Sequence, residues 1–163
     1  MTGRMIGIAG KPGSDKSSFV VDLVGELTRR GLTVSTMMGV DDQAAIDQPG
    51  KDSFRHRDAG AEEVMVTSAQ RWALIHGGGV EKHGALAQMT IVDLVISEGM
   101  TGDDYPLIEV HSVDADALPL GRDDPAIVAI VSDGPLDGQQ QPVIDRSDLP
   151  AVADFIVAHM GLA

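Results

Sequence analysis

The sequence predicts an α/β fold, a mostly parallel sheet flanked by helices, and three observations carry that reading. Short apolar, partly β-branched runs recur along the chain, at Arg4 to Ala9, Leu94 to Ser97 and Ala126 to Val131. Between and after them lie segments whose apolar residues repeat at helical spacing, from Ser17 and from Leu149. The later runs are apolar without alternation, as strands buried on both faces are, and alternation of strands with helices favours a parallel arrangement.

Arg4 to Ala9 reads as the first strand because a Gly/Pro/Ser-rich stretch, Gly10 to Ser14, follows it at once. Phe19, Val20, Leu23, Val24 and Leu27 then form the stripe of an amphipathic helix. Arg29, Arg30 and Gly31 close it, two cations suiting the negative helix end and a glycine suiting a left-handed cap. Leu32 to Met37 is the second strand. Gly39 to Ser53 has no sustained period and reads as a long surface loop, and Phe54 to Ala59 as a short helix. Glu63 to Thr67 and Trp72 to Ile75 form a hairpin-like pair expected to extend the sheet's edge. Val80 to Met89 is weakly helical, Leu94 to Ser97 a buried strand ending at Glu98 and Gly99, and Leu107 to Val110 and Ala126 to Val131 further strands. Leu149 to Met160 is the last helix, with Leu149, Val152, Ala153, Ile156 and Val157 on one face and Ser147 or Asp148 as its cap.

At 163 residues the chain suits a single domain, 1–163, since one core forms at roughly 100 to 200 residues. Aromatic residues make up only 3% of it, so the interior must be aliphatic. The apolar runs are far shorter than the roughly 20 residues of a membrane span. The amino terminus lacks the apolar core of a secretion signal, so a cytoplasmic location is expected. The absence of cysteine excludes disulfides, thiolate metal sites and cysteine nucleophiles. A net charge of −13 with only 12 Lys and Arg opposes nucleic acid and anionic membranes as partners. It also opposes a polyphosphate, so any such site must rely on backbone N–H groups and a few placed cations.

Gly10-Lys11-Pro12-Gly13-Ser14-Asp15-Lys16-Ser17 follows a strand and opens a helix, as the Walker A phosphate loop does. In that pattern the loop amides face phosphate, the lysine reaches the β and γ oxygens, and the next hydroxyl holds magnesium. Lys16 and Ser17 occupy those posts, with Ser18 next in the helix. One position departs: Asp15 stands where glycine normally precedes the lysine. Glycine there brings no Cβ and accepts a positive φ, which aspartate tolerates only in part. A carboxylate about 4 Å from a phosphate charge would cost on the order of 4 kcal/mol at an effective dielectric near 20, roughly a thousandfold in affinity. The bland alternative is a glycine-rich turn in which Asp15 caps the helix. Lys11, in the second position, resembles the extra lysine of deviant Walker A ATPases of the ParA/MinD type.

The segment Asp47-Gln48-Pro49-Gly50-Lys51-Asp52-Ser53, leading into Phe54-Arg55-His56-Arg57, then Ala59-Gly60-Ala61 and Gln70-Arg71-Trp72-Ala73, is the most specific pattern in the chain. It resembles the signature of the MobB family, and the resemblance extends from the first strand to the Val128 to Asp133 strand. It implies a P-loop NTPase-like fold and an accessory protein of molybdenum-cofactor (molybdopterin guanine dinucleotide) assembly. It further implies binding of guanine nucleotide (GTP) with Mg2+, usually as a homodimer, and partners among the cofactor-assembly enzymes or molybdoenzymes. By position it assigns Gly10, Lys11, Gly13, Ser14, Asp15, Lys16, Ser17 and Ser18 to the phosphate loop, and Ser17 and Glu98, followed by Gly99, to the magnesium side. Lys51 and Asp52 fall in the family's characteristic loop.

Three family features are replaced. A basic, histidine-rich run before the Pro-Gly-Lys block reads Met38-Gly39-Val40-Asp41-Asp42 here, Met100-Thr101 follows Glu98-Gly99 where Phe-Lys is usual, and Asp15 stands in the loop. Each change lowers positive charge at an expected phosphate site. Two further readings therefore stay open: a paralogue that lost nucleotide and acts as a scaffold for molybdoenzyme maturation, and a small deviant-Walker-A ATPase. Any GTPase activity would be weak, since no arginine finger or positioned base is recognisable. The five histidines have no metal-site spacing. Arg55 and Arg57 read as a solvated helix face, and Trp72 as a core or dimer-interface residue. Glu98 has a competing reading as an ion-pair partner of Lys16.

Overall fold

The computed structural model describes residues 4–40, 46–80, 82–100, 104–114 and 118–162, with side chains of 82 and 83 excepted. Asp41, Asp42 and Thr101, three of the replaced positions, lie outside these residues. By its contacts the chain forms two compact units, Met1–Gly39 with Ile91–Ala163, and Val40–Thr90.

The first unit is built on a six-stranded sheet of β1 (Arg4–Ala9), β2 (Val34–Met38), β5 (Leu94–Glu98), β6 (Leu107–His111), β7 (Ile127–Ser132) and β8 (Val143–Asp145). The order is β2-β5-β1-β6-β7-β8 and every pairing is parallel. β1 lies between β5 and β6, so the loop leaving β1 opens where the chain winds outward in both directions, the place where open α/β sheets bind ligands. Helices α1 (Lys16–Arg29) and α4 (Leu149–Met160) pack on one face through Phe19, Val20, Leu23, Leu27, Val152, Ala153 and Ile156. They meet Ile6, Ile8, Leu94, Ile96, Ile108, Val110, Ala129 and Val131. The opposite face carries a smaller cluster of Tyr105, Leu107, Ile127 and Ile130.

The helix ends follow their sequence signals. Gly31 adopts a positive φ and Leu32 N–H reaches back to Leu27 O at 3.2 Å, while Arg30 bonds Glu26 and, at 2.6 Å, Asp154 of α4. Asp148, not Ser147, caps α4 by accepting from Ala151 N–H at 3.0 Å. β2 starts two residues later than the apolar pattern suggests, because Thr33 is engaged with the Asp93 carboxylate through its N–H and hydroxyl. β8 was not legible, since three residues beside a Gln-rich turn carry no period of their own.

The second unit holds α2 (Asp52–Asp58), β3 (Glu63–Thr67), β4 (Trp72–His76) and α3 (Lys82–Ala87). β3 and β4 form the expected antiparallel hairpin, but as a separate two-stranded sheet; it does not extend the edge of the six-stranded one. Ser68 organises its turn by accepting from Gln70 and Arg71 N–H. Alternation puts Val64 on the buried side and Met65, Trp72 and Leu74 on the exposed side. Trp72 is 67% exposed, which excludes it from the core of this chain.

Candidate phosphate-binding site

The loop from Gly10 to Ser17 leaves the carboxyl end of β1 and turns into α1. Gly10 has φ +153, and a Cβ there would lie 2.5 Å from Val110 O and 2.6 Å from Ser14 Oγ, so only glycine fits against β6. Lys11 O accepts from both Ser14 N–H and Ser14 Oγ, closing a tight turn in which Ser14 is buried. Lys16 Nζ folds back over this turn, donating to Gly10 O at 2.9 Å and Lys11 O at 3.2 Å. The N–H groups of Lys16 and Ser17 belong to the first turn of α1 and have no intrahelical carbonyl to donate to.

Asp15 is the one non-glycine residue among those described with a positive φ, at φ 55 and ψ 45, the conformation the phosphate-loop pattern reserves for glycine at this position. It precedes α1 but its side chain does not cap the helix, contrary to the turn-and-cap alternative. The carboxylate accepts instead from Ser18 Oγ at 2.7 Å and from Arg146 Nη2 at 3.2 Å. Arg146 also donates to Ser14 O at 2.9 Å and Asp15 O at 3.0 Å. Sequence reasoning passed over Arg146, although it is the only Lys or Arg after Arg122. Nothing in the linear pattern ties it to a loop more than 130 residues earlier.

Glu98 ends β5 and accepts from Ser17 Oγ at 2.5 Å; it does not pair with Lys16. Gly99 follows with φ +70, and Gly39 N–H bonds Glu98 O at 2.8 Å, which fixes the carboxylate's backbone beside the end of β2. A cavity of about 340 Å³ is lined by Gly13, Asp15, Lys16, Ser17 and Glu98. A hydroxyl and a carboxylate are the hard oxygen donors that Mg2+ takes alongside phosphate oxygens, and Lys16 with the first-turn amides supplies the anion side. The residues present therefore fit a magnesium phosphate group.

Lys11 Nζ donates to Leu118 O at 2.8 Å, so it ties the loop to its own chain. The neighbouring 3-10 turn, Leu120–Arg122, is held by the fully buried Glu109, whose carboxylate accepts from Leu120 and Gly121 N–H. Lys51 and Asp52 belong to the second unit, at the amino end of α2. There Asp47 accepts from Ser53 Oγ at 3.1 Å and pairs with Arg57, which stacks over Phe54 at 5.2 Å. The signature segment thus has a local structural reason: its aspartate and serine brace the loop against the helix it opens. Arg55 is exposed, as expected of a solvated face, whereas Arg57 is half-buried by these contacts.

Residues 5–133 match the family model of molybdopterin guanine dinucleotide synthesis protein B, MobB. The chain belongs to the MobB family. A MobB-family relative from Haemophilus influenzae, a molybdopterin-guanine dinucleotide biosynthesis adapter protein, is 31% identical over 156 residues, covering 93% of this chain and 86% of the relative. Its Escherichia coli counterpart of the same description is 28% identical over 163 residues, covering 96% and 93%. The crystal structure of Bacillus subtilis MobB superposes with a TM-score of 0.72 at 20% identity, covering 96% of this chain and 98% of that one. A second MobB crystal structure gives 0.64 at 22%, covering 95% and 99%. At these identities the MobB structures establish the fold, the P-loop-like parallel α/β sheet expected from the sequence.

Proposed function

We propose that this MobB-family chain is a guanine-nucleotide-binding adapter in molybdopterin guanine dinucleotide assembly, working as one functional unit over 1–163. GTP with Mg2+ is its ligand, a homodimer its working form and the cytoplasm its location. The observation that carries the nucleotide half is the convergence of Lys16, Ser17 and Glu98 on one cavity at the mouth of β1. Lys16 meets phosphate charge, while Ser17 and Glu98 hold Mg2+, which neutralises phosphate oxygens when bound. The adapter role follows the relatives' descriptions, cofactor-assembly enzymes or molybdoenzymes are its proposed partners, and catalysis is not required of the chain. The exposed Met65, Trp72 and Leu74 on one hairpin face are the surface offered to the second copy.

Isothermal titration with GTP, GDP and ATP in the presence of Mg2+ is the direct test, with micromolar or tighter GTP binding expected. No heat from any of the three would overturn the nucleotide reading. Sedimentation equilibrium of the wild-type chain and Trp72→Glu tests the dimer, which the substitution should weaken.

The scaffold reading is favoured by Asp15 at the glycine position and by Met38 and Thr101 where cations are usual. Capture of a molybdoenzyme-maturation partner that survives Lys16→Ala would support it; capture that depends wholly on Lys16 would count against it. The ATPase reading needs Lys11 to reach phosphate, and preference for ATP over GTP is its minimum requirement.

A further inference from the structure

Asp15 adds a negative charge to the rim of a loop meant for anions, and it does so at a left-handed backbone position. Both carboxylate oxygens are nevertheless engaged, one by Ser18 Oγ and the other by Arg146. The same guanidinium spans the carbonyls of Ser14 and Asp15, the two residues just before Lys16. A planar fork of fixed donors is suited to holding two carbonyls and a carboxylate in one arrangement, which a lysine cannot do. Arg146 is itself positioned: its N–H bonds Ser132 O at 2.8 Å at the end of β7, and Asp145, accepting from Ser147 N–H and Oγ, shapes the turn that leads into α4. Its side chain is three-quarters buried.

We propose that Arg146 is a positioning residue of the phosphate loop, which fixes the Ser14–Asp15 backbone in the glycine-like conformation and offsets the Asp15 charge, so that the loop accepts a magnesium polyphosphate despite its aspartate. The proposal rests on the reading of this cavity as a phosphate site. It makes Asp15 and Arg146 a matched pair: the arginine matters because the aspartate is there.

The test is a double-mutant cycle read by titration of GTP with Mg2+, and by inorganic tripolyphosphate with Mg2+ to exclude base contacts, on wild type, Arg146→Gln, Asp15→Gly and the double variant. Arg146→Gln should weaken both ligands about tenfold, ~1.4 kcal/mol. In the Asp15→Gly background the same substitution should change affinity by less than about threefold, ~0.65 kcal/mol. Arg146→Lys, which keeps the charge and loses the fork, should fall between and provides the readout if Arg146→Gln does not fold. Equal losses in both backgrounds would overturn the pairing, because Arg146 would then act on the ligand or on folding in general. No loss in either background would overturn it too. Binding by Asp15→Gly but not by wild type would mean that Arg146 fails to offset the carboxylate. Failure of all four proteins to bind either ligand would remove the phosphate site itself.

Discussion

Ser17 Oγ donates to Oε1 of Glu98 across 81 residues of sequence, joining the first turn of α1 to the end of β5. The hydroxyl and the carboxylate face the same cavity as Lys16. Glu98→Gln keeps the shape but removes the charge that draws a divalent cation. Without Mg2+ it should bind nucleotide no more weakly than wild type, because one repelling carboxylate is gone from the cavity, and it should abolish most of the gain that Mg2+ brings. Titrations with and without Mg2+ check this; a full Mg2+ effect in Glu98→Gln would remove Glu98 from the metal side.

Lys16→Ala should weaken triphosphate binding by at least about tenfold, ~1.4 kcal/mol, while the thermal midpoint barely moves. Among the described residues the ammonium bonds the carbonyls of Gly10 and Lys11 in a part-exposed loop, where a lost bond is replaced by water. Titration beside differential scanning fluorimetry separates the two effects. A large drop in midpoint would make Lys16 a structural residue.

Leu23 is fully buried between α1 and the sheet, whereas Val21 on the same helix is 71% exposed. Leu23→Ala should cost about 3 kcal/mol in urea unfolding, within the range for cavity-forming core truncations. Val21→Ala should change stability by less than about 0.5 kcal/mol. Similar values for both would contradict the packing of α1 described here.

Two hydrogen bonds, first from the Thr33 hydroxyl and then from its N–H, hold the Asp93 carboxyl below the ordinary carboxylate range. A depressed folded-state value means that the charged form contributes stability above the unfolded value near 4, and that this contribution disappears as pH falls through the folded value. Asp93→Asn should therefore be less stable than wild type at pH 7, with a smaller gap at about pH 3, below the unfolded value. Urea midpoints at the two pH values decide it, and a gap of constant size would show that charge plays no part.

The strand-loop-helix at the start was legible because each of its parts is local. A β-branched run, a glycine-rich turn and a helical stripe need no distant partner to be recognised, and the same holds for Leu149–Met160 and its cap. Lys16, Ser17 and Glu98 were legible as types at expected positions. The hairpin was legible as a pair of strands, but its place as a separate sheet was not, since alternation tells which side chains share a face and not what that face meets.

By itself, then, the sequence determined the class of fold, the phosphate-loop segment and the signature that marks the family, all of them built from patterns among residues close in the chain. Only the tertiary structure decided what becomes of Asp15. Its charge is answered by Arg146 from the turn before the last helix, and its backbone is held by the same guanidinium. An electrostatic partner is chosen by distance in space, and the parallel sheet, by bringing the carboxyl ends of β1, β7 and β8 to the same end of the sheet, sets that distance for residues that sequence keeps far apart.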